Sequence, residues 1–243
     1  MLTVDFDRFP VGPGDLVLDM GCGAGRHAFA LARRGADVVA LDMDAEELAG
    51  VAEMLAAMRV EAEIPNGSVT AAVRGNAYML PFPDDTFDRI VAAEVLEHLP
   101  EDTVAMSELT RVLKPGGMIA VSVPRWLPEK LCWALSDDYH EVEGGHVRIY
   151  KGSQLGERLT STGLVQIGEH HAHGLHAPYW WLKCAVGVDN ANNRLVDAYH
   201  RVLVWDMMKA PRLTRLTERA LNPLIGKSLV VYLSKPEREH VSV

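Results

Sequence analysis

From Asp19 to Gly25 the chain reads D-x-G-x-G-x-G, with Gly21, Gly23 and Gly25 alternating directly after the apolar run "LVLDM". The next apolar run, "DVVALD", closes on Asp42. A glycine turn between a strand and a helix sets backbone amides and the positive helix end against a ligand. Glycine also lets that ligand approach without a Cβ in the way. A carboxylate at the end of the following strand accepts hydrogen bonds from ribose hydroxyls. The loop alone leaves a plainer alternative open, a simple turn with Asp42 as a solvated acid. The spacing separates two nucleoside ligands. A dinucleotide fingerprint, G-x-G-x-x-G, requires glycine at position 26, and the chain has Arg26 there. Acidic Asp19 suits a cationic ligand better than a phosphate.

Histidine is the natural proton acceptor near neutral pH, and the candidates are His98, His140, His146 and the group His170, His171, His173 and His176. His98, in "EVLEHLP", serves equally well as a packing or capping residue. His140 stands among Asp137, Asp138, Tyr139 and Glu141, in the loop expected after the fifth strand, where ligands of doubly wound sheets bind. His146 precedes Arg148 and Tyr150 and equally anchors that loop. His140 and His146 are therefore the catalytic candidates. "HHAHGLH" splits its histidines between two faces of a strand, without a familiar ligand spacing. No metal is expected there, and a strand end pointing partly at the active site is. Further on, Tyr179, Trp180 and Trp181 could line an apolar pocket, although a buried helical core explains most such residues. Arg201, Lys209, Arg212 and Arg215 suit either an anionic or lipid-linked acceptor or a solvated helix face.

These residues must be held by a framework, and its outline is periodic. Short apolar runs ("LVLDMG", "DVVALD", "VTAAVRGNA", "FDRIVAAEV", "MIAVSVP") alternate with amphipathic stretches, the fifth run following a "KPGG" turn. That alternation predicts a parallel sheet wound on both faces. Downstream, "SQLGERLTSTG" reads as a helix with Ser153 as N-cap and Gly163 as stop. "LVQIGEHHAH" and "SLVVYLSKP" read as strands, and the segment between them, about 177–222, as a helical insertion. The chain is taken as a single domain over 1–243, with a core at 14–124 and acceptor-side elements at 125–243.

Composition narrows the function. A net charge of −9 argues against a nucleic-acid backbone binder. No apolar run reaches the length of a membrane span, and no secretory signal is visible at the start. Three widely spaced cysteines read as reduced thiols of a cytoplasmic protein.

The D-x-G-x-G-x-G loop resembles motif I of the class I methyltransferases that use S-adenosylmethionine (SAM). "GNAYMLPFPDDTFDRIVAAEVLEHLP" and "LTRVLKPGGMIAVSVP" resemble later segments of that family in order and spacing, across roughly Val17 to Pro124. The resemblance implies a doubly wound α/β fold, with a mostly parallel seven-stranded sheet, a reversed last strand and the helical insertion before it. It also implies a SAM site. The backbone of Gly21, Cys22 and Gly23, with Gly25 allowing close packing, would meet the methionine end, and Asp19 would orient its amino group. Asp42 would accept the ribose hydroxyls, and Met43 would lie against the adenine. Asn76 and Ala77 would sit at the adenine edge, and Glu94 beside the methionine end and substrate. The family often has aspartate where this chain has Asn76. The implied activity is methyl transfer to a small-molecule acceptor, at oxygen before carbon or nitrogen. A non-catalytic SAM-binding module and a nicotinamide-dependent oxidoreductase are the competing readings.

Overall fold

The computed structural model of the chain describes residues 2–139, 145–188, 190, 193–209 and 211–238. The alternating half of the sequence forms β1 (Leu16–Met20), α1 (Arg26–Arg33), β2 (Asp37–Asp42), α2 (Ala45–Val60), β3 (Thr70–Arg74), β4 (Phe87–Ala93), α3 (Asp102–Val112) and β5 (Leu113–Pro124). After it come α4 (Trp126–Leu135), α5 (Gln154–Thr160) and β6 (Val165–Ala172). Three helices, α6 (His176–Val186), α7 (Arg194–Lys209) and α8 (Arg212–Ile225), then precede β7 (Ser228–Ser234).

The seven strands make one sheet in the order β3-β2-β1-β4-β5-β7-β6. β1 to β5 pair in parallel, and β7 runs antiparallel to both β5 and β6. Successive residues of a strand face opposite sides of the sheet, so the sheet carries two cores. Leu18, Met20 and Ile90 point into one, and Val17, Val38 and Val91 into the other. Burial on both faces is why these strands read as nearly unbroken apolar runs.

Local signals explain most element ends, and two expectations need correction. Asp44 caps α2 by accepting the Glu46 and Glu47 amides at 2.8 and 3.2 Å. Ser153 does stand before α5 but makes no capping bond; its hydroxyl goes to the Glu157 carboxylate, and the helix ends before Gly163. The "KPGG" segment is not a separate turn ahead of the fifth strand but part of β5. The Gly116 amide donates to the Lys235 carbonyl at 2.8 Å, and the Lys235 amide to the Gly117 carbonyl at 3.0 Å. The chain leaving β7 thus draws this segment into the ladder. No described helix is long and apolar enough to cross a membrane.

His27, in the first turn of α1, gives the fold a pH dependence. It is buried, and its Nε2 accepts the Thr3 amide at 3.2 Å. Burial, with Arg26 adding to it, pushes its pKa down to about 3. The native ring stays neutral while the unfolded chain protonates, so this contribution is complete above the unfolded value and is lost as pH falls. At about 1.4 kcal/mol per pH unit, about 2 kcal/mol should be gone by pH 5. Denaturant titrations of His27→Gln between pH 7.5 and 5 should show that much less acid sensitivity than the parent, and identical slopes would contradict the assignment.

Candidate active site

The glycine loop leaves β1 at its carboxyl edge, and its shape is compulsory. Gly21 has φ 69°, and a Cβ there would lie 2.4 Å from Val95 Cγ2. Gly25, at φ 79°, would bring a Cβ to 2.6 Å from the Phe29 ring. The loop amides, however, do not face a ligand. Those of Gly21 and Cys22 both donate to the Leu41 carbonyl (2.8 and 3.0 Å), and that of Gly25 to the Cys22 carbonyl (2.9 Å). The Gly23 amide donates to Asp42 Oδ2 at 2.8 Å. The expectation that amides point at the ligand is corrected here: three of these amides hold the loop against β2, and that of Gly25 closes the loop on itself. An anion cradle built from those amides, as a pyrophosphate needs, is therefore missing.

Asp19 lies beneath the loop, 1% exposed, and accepts the Ala28 amide at 2.8 Å, fixing the first turn of α1. Burial pushes its carboxyl up to about 7. Cys22 is buried too, and burial followed by the charges of Asp19 and Asp42 pushes its thiol up to about 12, which leaves it unreactive.

A cleft of about 320 Å³ runs over the loop, lined by Gly21, Gly23, Asp42, Met43, Ala77 and Glu94, with Val95 and His98 alongside. Six of the cofactor residues implied by the resemblance, and the histidine candidate His98, thus converge on one groove. Asp19, Cys22 and Gly25 are not in its lining. Asn76 is exposed, and its Oδ1 accepts the Tyr78 amide at 2.9 Å, closing its own turn beside the cleft. An aspartate there would keep that bond and bring a second, charged oxygen. Bonds to charged groups are worth about 1 kcal/mol more than neutral ones. Asn76→Asp should therefore tighten S-adenosylhomocysteine (SAH) binding about fivefold by calorimetry, and weaker binding would remove position 76 from the adenine edge.

A second cavity, of about 250 Å³, is lined by Arg26, Glu94, His173, His176, Trp180 and Lys227, with Thr3, Met207 and Ser228 completing it. Glu94 lines both spaces. It follows β4 with φ 60°, and His173 has φ 66°. Two non-glycine residues in the left-handed region thus sit on one chamber wall, as strained residues do at functional sites. Ser122 fixes Glu94 twice: its hydroxyl donates to Glu94 Oε1 at 2.8 Å, and its carbonyl accepts the Glu94 amide at 2.9 Å.

The chamber is cationic, aromatic and imidazole-bearing. Lys227 Nζ lies 4.7 Å from the Trp180 ring centroid and donates to the Tyr139 hydroxyl at 3.2 Å. The Tyr139 hydroxyl in turn donates to Glu129 Oε2, also at 3.2 Å. Burial, with nearby cations such as Lys227, pushes His176 down to about 4 and holds His173 well below the usual imidazole range. Thr3 Oγ1 is 3.2 Å from His173 Nε2, while the buried Nδ1 of His176 has no hydrogen-bond partner among the described residues.

Of the two catalytic candidates, His140 lies outside the described residues. His146 is placed beside the cleft, not in the chamber wall: its Nδ1 is 2.6 Å from Glu129 Oε1, and its ring is 4.8 Å from that of His98. The anchoring work falls to its neighbours. Arg148 donates to the carbonyls of Leu96, Leu99 and Pro100, and Tyr150 to Asp102. In "HHAHGLH", His170 stacks on Tyr232 and only His173 and His176 reach the chamber. Of the three aromatics, Trp180 faces the chamber, Trp181 donates to the Pro128 carbonyl, and Tyr179 packs on Tyr199. Arg215 pairs with the buried Asp206 at 3.1 Å, a structural role. The cations that reach the chamber, Arg26 and Lys227, were not among the site candidates read from the sequence, where Arg26 served only to exclude the dinucleotide fingerprint. A signal existed for Lys227: a reversed last strand begins at the edge where the parallel strands end, so the residue entering it lies beside the site.

With this geometry in hand, the known proteins it resembles are informative. Residues 18–121 match the family model described as a methyltransferase domain. A demethylmenaquinone methyltransferase of Parafrankia sp. is 31% identical over 191 residues, covering 68% of this chain and 75% of that protein. A sterol 24-C-methyltransferase of Eremothecium gossypii is 31% identical over 161 residues, covering 66% of this chain but 39% of the relative. The chain thus spans about two fifths of the length of the first curated relatives it matches. Among solved structures, a SAM-dependent methyltransferase of Methanosarcina mazei superposes with a TM-score of 0.63, covering 98% of this chain and 100% of that one. At 16% identity that likeness speaks to the fold alone.

Proposed function

The chain belongs to the class I SAM-dependent methyltransferases, and on that premise we propose that it methylates an oxygen of a small, ring-bearing or anionic acceptor held in the chamber beyond Glu94. One observation carries the reading: the cofactor cleft and the chamber meet at a single residue, Glu94. A cofactor lying over the glycine loop would present its sulfonium methyl at that junction. Methyl transfer is an in-line displacement, so the principal task of the protein is to align acceptor oxygen, methyl carbon and sulfur. The bond from oxygen to the methyl forms as the sulfur–carbon bond breaks, and its electron pair returns to sulfur, giving SAH. The acceptor hydroxyl proton needs a receiver. We assign that role to His176, whose Nδ1 has no hydrogen-bond partner among the described residues, in place of His140 and His146. Lys227 and Arg26 would favour the ionised acceptor, and the Trp180 face would take its ring.

The relatives' names support a small-molecule acceptor, a sterol in one case and demethylmenaquinone in the other. The sterol 24-C-methyltransferase match favours a second reading, a carbon acceptor. An oxidoreductase is disfavoured by Arg26 at the third fingerprint position and by the loop amides already spent on Leu41 and Asp42.

The test is SAH release on a panel of phenols, hydroxyquinones, sterols and hydroxy acids, with the methyl located by NMR in each product. A phenolic or hydroxyquinone ether is expected, while a new carbon–carbon bond would establish the second reading. Acceptor-independent SAM binding without turnover on any class would favour a binding module. His176→Ala should lower kcat by about 10²–10⁴ with SAM affinity unchanged, and an unaffected kcat would return the proton to another group.

A further inference from the structure

Among the described residues, Glu97 is the one buried carboxylate left without a hydrogen-bond partner. It is 0% exposed, and neither carboxylate oxygen has a hydrogen-bond partner among the described residues. Buried carboxylates are normally bonded, so such a group points to something that belongs beside it. His98 Nε2 stands 3.9 Å from Glu97 Oε1, and one ligand atom each from Glu97, His98 and His146 lie within 4.8 Å of one another.

We propose that Glu97, His98 and His146 bind a divalent metal ion of the zinc or manganese class beside the cofactor cleft. The donor set is one carboxylate and two imidazoles, a combination such ions accept. Bonds of about 2.0–2.2 Å hold ligand atoms at most about 4 Å apart, so an inward shift of less than an ångström closes the site.

The outer contacts are those a metal-ligating histidine needs. His146 Nδ1 is 2.6 Å from Glu129 Oε1, inside a carboxylate that is itself buried and held by Trp133 and Tyr139. His98 Nδ1 faces the Gly145 carbonyl at 3.3 Å. With each Nδ1 proton given to an oxygen, the lone pair of each ring is on Nε2, the arrangement that fixes tautomer and orientation in metal sites. The two segments that supply the ligands are also clamped together without any ion. The Val147 amide donates to the Glu97 carbonyl at 2.9 Å, and Arg148 ties down the carbonyls of Leu96, Leu99 and Pro100.

The other group of this kind, His173, His176 and Glu218, is less suited. Thr3 already occupies His173 Nε2, and Glu218 faces Arg215 at 3.5 Å. Three protein ligands leave a coordination position for an oxygen donor. That donor can be water, and the binding of the ion does not depend on the functional reading above.

The experiment uses the full, tag-free chain stripped of metal, titrated with Zn²⁺ by calorimetry, with no SAM or acceptor present. One Zn²⁺ per chain is expected, with Glu97→Gln and His146→Gln each binding at least tenfold more weakly and His176→Ala binding like the parent. SAH titration of each variant checks that it is folded. Should a variant not fold, ¹⁵N spectra of the parent's histidine rings decide: His98 and His146 must shift with one equivalent of Zn²⁺. Absence of stoichiometric binding, parent-like affinity in Glu97→Gln, or shifts confined to His173 and His176 would each overturn the proposal. A chain that binds Zn²⁺ but not SAM would instead sink the functional reading alone.

Discussion

Asp42→Ala should weaken SAH binding about a hundredfold or more while leaving the chain folded. Asp42 ends β2 at the mouth of the cleft, with Oδ2 on the Gly23 amide at 2.8 Å and Oδ1 on the Asp44 amide at 3.0 Å. A carboxylate has about four lone-pair positions, so each oxygen can still accept one ribose hydroxyl. Hydrogen bonds to a charged group contribute about 1.5–3 kcal/mol each, and about 1.4 kcal/mol is tenfold in affinity. Two lost ribose bonds alone therefore reach a factor of about 100. Releasing Gly23 adds to the loss, because the loop no longer has its link to β2. The residue is at a strand end and outside both cores, so the thermal midpoint should move little. Asp42→Asn should fall between the parent and Ala, since the amide keeps one accepting oxygen. An Asp42→Ala affinity within threefold of the parent would make Asp42 a loop anchor without a ribose contact.

Replacing residues 174–226 with an Asn-Gly turn should abolish methyl transfer and spare SAH binding. The register pairs Ala172 with Ser228 at the end of β6 and β7. The two strands therefore form a hairpin that a tight turn can close without moving the sheet. The deletion removes His176, Trp180 and Met207 from the chamber but leaves the whole lining of the cofactor cleft in place. An acceptor bound as proposed would then meet bulk water where the chamber now offers aromatic rings and imidazole, losing both alignment and its proton receiver. SAH affinity within about threefold of the parent, together with turnover reduced at least a thousandfold, is the expected pair of results. Retained turnover would place the acceptor elsewhere and make α6, α7 and α8 a partner surface.

Local patterning carried far into this site, and stopped where distant segments meet. The strand–helix alternation was readable because each element buries a continuous apolar face, while the reversed last strand came only from the family resemblance. Gly21, Gly23 and Asp42 were readable because a strand end, a turn and the next strand end are near in sequence as well as in space, while Glu94 came from the family resemblance. The direction of the loop amides was not, since the acceptor that captures two of them, the Leu41 carbonyl, belongs to another strand. Asp19 had the right position but a structural partner, Ala28. Glu97 and Glu129 were invisible for a different reason. Each is an ordinary acid within a helical turn, and only the packing of α4 and of the segment from Gly145 to Tyr150 against the "EVLEHLP" phrase turns them into buried charges around His146. His176 and Lys227 belong to opposite ends of the helical insertion, and the hairpin register brings them to one chamber.

The most direct measurement is a crystal structure of the chain with SAH bound. The expected result is the ribose on Asp42, the adenine between Met43 and Ala77, and the sulfur at Glu94, facing the chamber of His176, Trp180 and Lys227. A sulfur turned away from that chamber, or a wall of protein between the two at Glu94, would contradict it.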